Sequence, residues 1–452
     1  MERDSLQLML VSFEAVFSQP SFQSFVFLLE GWIVAGMRGM TSTALAARGA
    51  FPKHFASYYR FFSEGAWSAD ALGIALLELV LPFAPRGPLV VAVDDTLARK
   101  TGKNIWGANL HHDPLAWLPN ALAFGHNWVV LAVVIRVPLV QRHVAVPVLW
   151  RLYRSRKARR GKTRRGKCER KTTGATSAKT HRPRPELAVE MLHVLRNALG
   201  NGRPVRVVGD SAYGGKSVTT RLPENTVCIS RLPMNAALYD VAPPRRPGQQ
   251  GCPRKKGARL KNPEQMAADR TRWRTCKVRL YGKNVAARYK ERVALWYNST
   301  RNAPLRIVVV RDPNGRRRDE AFFSTDPTMR IETILETYAQ RWSLEVAFRD
   351  AKQQLGFERS QARTRKAVER TGPFAFAVYA ITIAWFCRIG HRQYPALPIM
   401  PWYRHKRGPS FADMQTLLKQ EILQQGFCDT PANIHPFQKT KGGSNYEQQR
   451  AA

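Results

Sequence analysis

The sequence is poor in acidic residues. It has 33 Asp and Glu against 72 Lys and Arg, which leaves a formal net charge of +39 over 452 residues. A field of that sign implies a polyanionic partner, and nucleic acid is the commonest one. The sequence also lacks any apolar run of the ~18 residues that a helix needs to cross a bilayer. The longest candidate, 374–387, has the length of a buried helix, so we expect no membrane partner.

Cysteine is scarce and scattered, with no C-x-x-C pair among the six cysteines. This spacing argues against a zinc site and against a disulfide framework, and it suits a reducing cytoplasm. The first residues carry acids (Glu2 and Asp4) and show no cleavable signal pattern. We therefore expect a cytoplasmic location.

One stretch, 331–357, has helical periodicity and carries a row of polar residues. Tyr338, Arg341, Glu345 and Lys352 fall within an arc of about 60° when each residue turns by roughly 100°. The adjacent face has the apolar spacing of a core-packing helix, formed by Leu344, Phe348, Ala351 and Leu355. The polar row could be an ordinary solvated face, with Arg341 paired to Glu345 one turn on and Lys352 exposed.

Acidic residues follow two apolar runs that we predict to be buried strands. The run at 88–93 ends in Asp94-Asp95-Thr96, and the run at 205–208 ends in Gly209-Asp210. Acids at the end of a buried strand are costly unless they are paired or bind a metal. Ligands of open α/β sheets also bind at the carboxyl ends of strands. These two strand ends are therefore candidate site positions.

Three acids, from two strands and a later helix, could together serve phosphodiester cleavage. Two Mg²⁺ ions about 3.5–4 Å apart activate the attacking oxygen and stabilise the leaving one. Mg²⁺ prefers carboxylate oxygen, and a basic surface would hold the DNA beside such an acidic centre. Asp94 and Asp95 are neighbours on a strand, so their side chains point to opposite faces and only one can belong to the site. The pattern alone leaves that choice open.

These residues resemble the DDE transposases of bacterial insertion sequences, which have an RNase H-like catalytic core. The resemblance rests on the helix motif Y-x2-R-x3-E-x6-K, met by Tyr338, Arg341, Glu345 and Lys352. It extends to Asp-Asp-Thr at 94–96 and to Gly-Asp-Ser-Ala-Tyr-Gly at 209–214, and covers roughly residues 30–390.

The resemblance implies that Asp95, Asp210 and Glu345 are catalytic and bind two Mg²⁺ ions, with Asp94 as the alternative to Asp95. Mn²⁺ is expected to substitute for Mg²⁺. The resemblance also implies that Arg341 and Lys352 contact DNA near the cleaved phosphate. Tyr338 would pack or hydrogen-bond a phosphate.

Three further DNA contacts are expected outside the motif. Lys53 and Arg60 lie in short basic and aromatic helices that suit a helix-turn-helix-like reader, although a plain helical bundle would show the same pattern. Trp296 could stack on a base, with a place in the core as the alternative.

The expected architecture is an α/β RNase H-like mixed sheet flanked by helices, interrupted by a β-rich insertion and preceded by an all-helical N-terminal domain. The predicted domains are the N-terminal DNA-binding domain (1–87), the first part of the core (88–238, with a basic arm at 151–184), the insertion (239–324), the second part of the core (325–394) and a C-terminal tail (395–452). The tail could contribute to dimerisation.

The predicted function is a transposase that binds the inverted repeat ends of its element as a homodimer on double-stranded DNA. It would cleave the ends and join them to target DNA, in the bacterial cytoplasm and associated with the nucleoid. Two alternatives stay open: an RNase H-like nuclease without strand transfer, and a non-catalytic DNA-binding protein whose acids only form ion pairs.

Overall fold

A computed structural model describes residues 6–49, 52–102, 104–113, 118, 121–155, 181–245, 250–315, 317–394 and 406–427. The basic arm predicted at 151–184 lies outside the described residues from 156 to 180. The tail predicted at 395–452 lies outside them except for 406–427.

A mixed sheet forms the centre of the protein. The described strands are β1 (Leu89–Arg99), β2 (Asn109–His112), β3 (Leu122–Arg136), β4 (His143–Tyr153), β5 (Val205–Gly209), β6 (Thr226–Leu232), β7 (Leu238–Tyr239), β8 (Arg259–Leu260), β9 (Arg274–Leu280), β10 (Lys283–Ala294), β11 (Leu305–Arg311) and β12 (Glu320–Ser324). Ten of them form one sheet in the order β2-β3-β1-β5-β6-β12-β11-β10-β9, with β4 also paired to β3. β1, β5 and β6 run parallel to one another, and the other pairs are antiparallel.

The first acidic pair lies inside a strand rather than at its end. β1 continues to Arg99 because it keeps its antiparallel partner β3 along this whole length. Its parallel partner β5 is lost earlier, after Val93 pairs with Gly209. The acids therefore sit where one neighbouring strand stops, which opens that side of β1.

Helices cover both faces of the sheet. The described helices are α1 (Leu6–Val11), α2 (Gln19–Ala35), α3 (Thr41–Arg48), α4 (Phe55–Ser63), α5 (Ala69–Val80), α6 (Arg184–Leu199), α7 (Lys216–Thr219), α8 (Pro263–Ala268), α9 (Tyr297–Thr300), α10 (Ile331–Gln340), α11 (Trp342–Leu355), α12 (Arg365–Thr371), α13 (Phe374–Trp385), α14 (His391–Gln393) and α15 (Phe411–Gln425). α6 packs on β3 and β4, whereas α10 packs on β5, β6 and β12.

The stretch predicted as one helix at 331–357 is two helices that meet at Arg341. The Arg341 amide donates to the carbonyl of Tyr338, a tighter turn than the α-helical spacing, and its φ of −52° and ψ of −39° stay in the helical region. α11 ends at Gly356, whose left-handed φ of 65° suits glycine. The apolar stripe of α11, from Leu344 to Leu355, is buried as its spacing predicts.

The N-terminal helices share a hydrophobic core with the sheet and α13. Phe25 and Trp32 of α2 lie edge-on to Phe374, with ring centroids 6.0 and 5.2 Å away. The helices predicted over 1–87 are present, and they are packed into the body of the protein.

A close contact ties α2 to the end of α11. The indole Nε1 of Trp32 donates to the carbonyl of Leu355 at 2.9 Å. Gly39 lies so close that an added Cβ would stand 2.1 Å from that Nε1, and a Cβ on Gly356 would stand 2.5 Å from the Gly39 carbonyl oxygen. Only glycine fits at these two positions.

The strands predicted as an insertion continue the same sheet, because β12 pairs with β6. The longest strand of this part is β10. The predicted tail contains α15, whose Ser410 cap and buried Phe411, Met414 and Leu418 hold it against the core.

One helical stretch, Arg365–Gln393, is long and apolar enough to cross a membrane by length and composition alone. Its apolar window is 89% buried inside the protein, as in a core helix, and one such helix is weak evidence for a span.

Candidate active site

Two of the acids lie side by side on adjacent strands. Because Val93 pairs with Gly209, the following residues Asp94 and Asp210 point to the same face of the sheet. Burial raises the pKa of the Asp94 carboxyl to about 7, Arg341 opposes this rise, and the negative charge of Asp210 adds to it. Two carboxylates with no cation between them repel each other, so this corner of the sheet favours a bound proton or a bound cation.

Arg341 joins the strand acid to the helix acid. Its Nη1 lies 2.5 Å from Asp94 Oδ2 and its Nη2 lies 2.7 Å from Glu345 Oε1. The guanidinium is only 16% exposed. Burial alone would lower the pKa of Arg341, but the carboxylates of Asp94 and Glu345 together with Tyr338 raise it above its usual value. The break between α10 and α11 places the Arg341 side chain over β1. The ion pair of Arg341 and Glu345 expected from the i,i+4 spacing therefore also includes Asp94.

Asp95 faces the opposite side of the sheet. Its Oδ2 accepts from Arg184 at 2.7 Å and from Asn127 at 2.9 Å, and its Oδ1 accepts from the Tyr213 hydroxyl at 3.0 Å. The residue on the side of Arg341 and Glu345 is Asp94. The expectation that Asp95 is the acid of the site therefore differs from this geometry, because alternate strand residues point to opposite faces.

Asp210 is held by its own turn. Its Oδ1 accepts from the Ala212 amide at 2.9 Å, and its carbonyl accepts from the Ser230 hydroxyl at 2.7 Å. Gly209 allows this turn, because a Cβ there would lie 2.7 Å from the Cβ of Tyr213. The side chain is therefore fixed beside Asp94 while one of its oxygens stays free of these bonds.

The other two motif residues are engaged within the protein. Lys352 Nζ donates to the Leu97 carbonyl at 2.7 Å and lies 3.2 Å from Glu358 Oε1. Tyr338 packs against Phe322, with ring centroids 4.6 Å apart, and burial raises the pKa of its hydroxyl. Both side chains flank the acids, on α11 and α10 respectively.

The three expected DNA contacts outside the motif lie on other elements. Arg60 is 67% exposed, with Glu64 3.9 Å away. Lys53 Nζ donates to the Pro20 carbonyl at 2.6 Å, and burial lowers its pKa. Trp296 is half-buried, and its ring centroid lies 5.7 Å from that of Phe323. Within the described part of the chain, none of the three forms a hydrogen bond or an ion pair with Asp94, Asp210 or Glu345.

The acids have the chemistry of a magnesium site. Asp94, Asp210 and Glu345 supply carboxylate oxygen, the donor that Mg²⁺ prefers, and the charge of Asp210 contributes, after burial, to the raised pKa of Asp94. Within the described ranges no three His, Cys, Asp or Glu side chains lie together as a ready metal cluster. Arg341 holds the position between Asp94 and Glu345 instead.

Sequence reasoning missed the residues behind the site. Arg184 is the first residue of α6, and Asn127 lies on β3 two register positions from Val129, the partner of Asp95. The polar Asn127 inside a mostly apolar strand was the available signal. Nothing local marks Arg184, which lies 89 residues from Asp95.

The chain matches the profile of a known protein family. The profile of a family described as DDE superfamily endonuclease matches residues 12–302, which is well over half of the chain. The matched part includes Asp94, Asp95 and Asp210 and ends before Glu345.

Comparison with individual proteins adds little. No curated protein matches the chain. Among solved structures, a piggyBac transposase synaptic complex with hairpin DNA is similar at 9% identity and a TM-score of 0.40, over 97% of this chain and 83% of that one. A TM-score of that size is too low to support an argument about function.

Proposed function

Because the chain belongs to the DDE superfamily of endonucleases, we propose that it is the DNA transposase of a bacterial insertion sequence. The proposed reaction is cleavage at the inverted repeat ends of the element, followed by attack of the freed 3′-hydroxyl on target DNA. The observation that carries the proposal is that Arg341 joins Asp94 to Glu345, while Asp210 follows the strand next to Asp94 and shares its face of the sheet. The strand order β4-β3-β1-β5-β6, with these acids beside β1, supports an RNase H-like core.

The proposed catalytic residues are Asp94, Asp210 and Glu345, with Asp94 in place of the Asp95 expected from the resemblance. They would hold two Mg²⁺ ions, and Mn²⁺ would substitute. When bound, the ions activate the attacking oxygen and stabilise the leaving one. Asp94 would serve as a ligand in its ionised form, and its raised pKa means that higher pH favours this form in the metal-free protein.

Arg341 would exchange partners in this reaction. In the absence of an ion it neutralises Asp94 and Glu345. With a divalent ion held by these carboxylates, the Arg341 guanidinium would be free to donate to a phosphate oxygen, for which its planar fork is well suited. Tyr338 lies beside it, with its ring centroid 5.9 Å from the guanidinium. Lys352 lies further along α11, and both side chains would contact the DNA.

The remaining DNA contacts would spread over the basic surface. Arg60 is exposed and available to a phosphate, whereas Lys53 and Trp296 would need to leave their present contacts. The same proposal includes a homodimer on double-stranded DNA in the nucleoid and the domain boundaries given above.

A specific observation favours a second candidate. Arg341 already satisfies Asp94 and Glu345, as it would in a non-catalytic DNA-binding protein whose acids only form ion pairs. A nuclease without strand transfer is the third candidate, and it would share the acids of the transposase.

Substitution of Glu345 distinguishes these candidates. Glu345→Gln should abolish Mg²⁺-dependent cleavage of end-containing DNA, by at least a hundredfold, because a ligand carboxylate is lost. DNA binding in EDTA should change little. Glu369→Gln is the matched control, since Glu369 is also paired with an arginine four residues earlier, at 3.5 Å, and is similarly exposed (38% against 34%).

Each outcome selects one candidate. Joined end–target products made by the wild type indicate a transposase, and cleavage without joined products indicates a nuclease. Cleavage retained by Glu345→Gln, or no cleavage by the wild type with Mg²⁺ or Mn²⁺, would contradict the catalytic proposal and favour the DNA-binding protein.

A further inference from the structure

A groove of about 780 Å³ lies on the same side of the sheet as the acids but at the other end of the strands. Val90 and Arg206 line it, and each stands four residues before an acid, Asp94 and Asp210 respectively. Side chains four apart on a strand share a face, and four residues span roughly 13 Å. The groove is therefore separate from the acids and continuous with their face of the sheet.

The groove is strongly basic. Five arginines line it against a single carboxylate, Glu336; they are Arg86, Arg136, Arg142, Arg206 and Arg279. Among the residues that the structure describes, no carboxylate forms an ion pair with any of these five guanidinium groups. Glu336 itself accepts the backbone amide of Arg279 at 2.8 Å. Positive charge held together in a concave surface with a single carboxylate favours an anionic ligand.

Two exposed aromatic side chains border the groove. Trp342 is 50% exposed at the start of α11, and Tyr281 is 58% exposed in the turn between β9 and β10. Tyr281 has a left-handed φ of 53°, which is uncommon for a bulky residue and turns the side chain out of the strand. Large aromatic residues left in solvent beside unpaired arginines are typical of surfaces that stack nucleic-acid bases.

The break between α10 and α11 connects this groove to the acids. Gln340 and Trp342 line the groove, while Arg341 between them turns to Asp94. A ligand that displaces Trp342 or Gln340 therefore acts directly on the backbone that positions Arg341.

We propose that this arginine groove binds a segment of single-stranded nucleic acid, with the arginines on the phosphates and Trp342 and Tyr281 stacked on unpaired bases. A volume of 780 Å³ lies in the range of pockets for drug-sized ligands. It suits a few nucleotides of one strand better than the width of a duplex. Bases of an intact duplex are stacked on each other and cannot use the two aromatic side chains.

The test is oligonucleotide binding in EDTA, measured by fluorescence anisotropy with labelled oligo-dT and with a duplex of equal length. The metal-free condition makes the result independent of catalysis. Failure of the proposed transposase activity would therefore leave this result unaffected.

The charge variant is Arg136→Glu with Arg279→Glu. It should weaken oligo-dT binding on the order of tenfold or more and reduce the slope of log affinity against log salt by roughly 1.4, which is ~0.7 for each lost phosphate contact. The matched control is Arg288→Glu with Arg292→Glu, two exposed arginines of β10 that do not line the groove. An equal loss in the control would mean that only general charge matters, and would overturn the proposal.

The stacking variant is Trp342→Ala. It should weaken oligo-dT binding roughly tenfold and duplex binding much less, because a stacked base contributes about that much to affinity. Tyr59→Ala, at an exposed tyrosine of α4, should leave both unchanged. The proposal would be overturned if Trp342→Ala weakened single-strand and duplex binding equally. It would also be overturned if the groove bound an acidic peptide in preference to oligo-dT.

Discussion

The position of Asp94 predicts an inverted pH dependence of stability. The folded state raises the pKa of this carboxyl from 3.8 to about 7, chiefly by burial. Between these values the folded protein holds a proton that the unfolded chain has released. Stability is therefore greatest at the acidic end of the window and is lost as the pH rises towards 7.

The magnitude follows from the size of the shift. About two pKa units of the shift lie above pH 5, and each unit corresponds to ~1.4 kcal/mol, so the contribution between pH 5 and pH 8 is about 2–3 kcal/mol. The Asp94 side chain is 15% exposed, so solvent screening should reduce this value only modestly. The asparagine of Asp94→Asn does not titrate, so this variant should not lose stability in the same way between pH 5 and pH 8.

The assay is urea unfolding in EDTA at pH 5, 6, 7 and 8, followed by tryptophan fluorescence. From pH 5 to pH 8 the wild type should lose about 2–3 kcal/mol of unfolding free energy relative to Asp94→Asn. Asp95→Asn is the comparison and should reduce the loss only slightly, because the charge of Asp95 is the smallest of the causes that act on the pKa of Asp94.

Magnesium gives an independent check of the same side chain. At pH 8, added Mg²⁺ should stabilise the wild type more than Asp94→Asn, since a ligand that binds only the folded state raises its stability. Parallel pH profiles of the wild type and Asp94→Asn would refute the assignment of the raised pKa to this residue.

Two other substitutions test the packing around the site. Gly39→Ala should destabilise the protein by about 1–3 kcal/mol in thermal unfolding, because its Cβ would overlap Trp32. Gly202→Ala is the control and should be neutral, because no atom lies within 4 Å of the added Cβ. Equal effects of the two substitutions would contradict the close contact at Gly39. Arg184→Ala should cost about 1–3 kcal/mol by leaving the Asp95 carboxylate without its cation. Adding Asp95→Asn should recover part of that loss, and no recovery would mean that the pair is not coupled.

The central strands were predictable because their signal is local. The apolar runs that form β1, β3, β4 and β5 are long enough to be recognised without knowing their neighbours. The same holds for α11, whose stripe is buried as predicted.

The choice between Asp94 and Asp95 could not be made in this way. It depends on which face of β1 is covered by α6 and which by α10 and α11, and these helices lie about 90 and 250 residues further along the chain. The break at Arg341 is similarly invisible, because helical periodicity continues across it. α15 was missed for another reason: its Ser410 cap and apolar spacing were present, but the polar residues between them dominated the prediction.

The shared core of α2 and α13 has a consequence for synthesis. Phe25 meets Phe374 only after another 349 residues have been added, counting from 25 to 374. At a synthesis rate of ~5–20 residues per second, the aromatic surface of α2 remains without that partner for on the order of 20–70 s. During this interval the nascent chain exposes a cluster of phenylalanines that chaperones would be expected to cover, and a ribosome that stalls before residue 374 would release an aggregation-prone fragment.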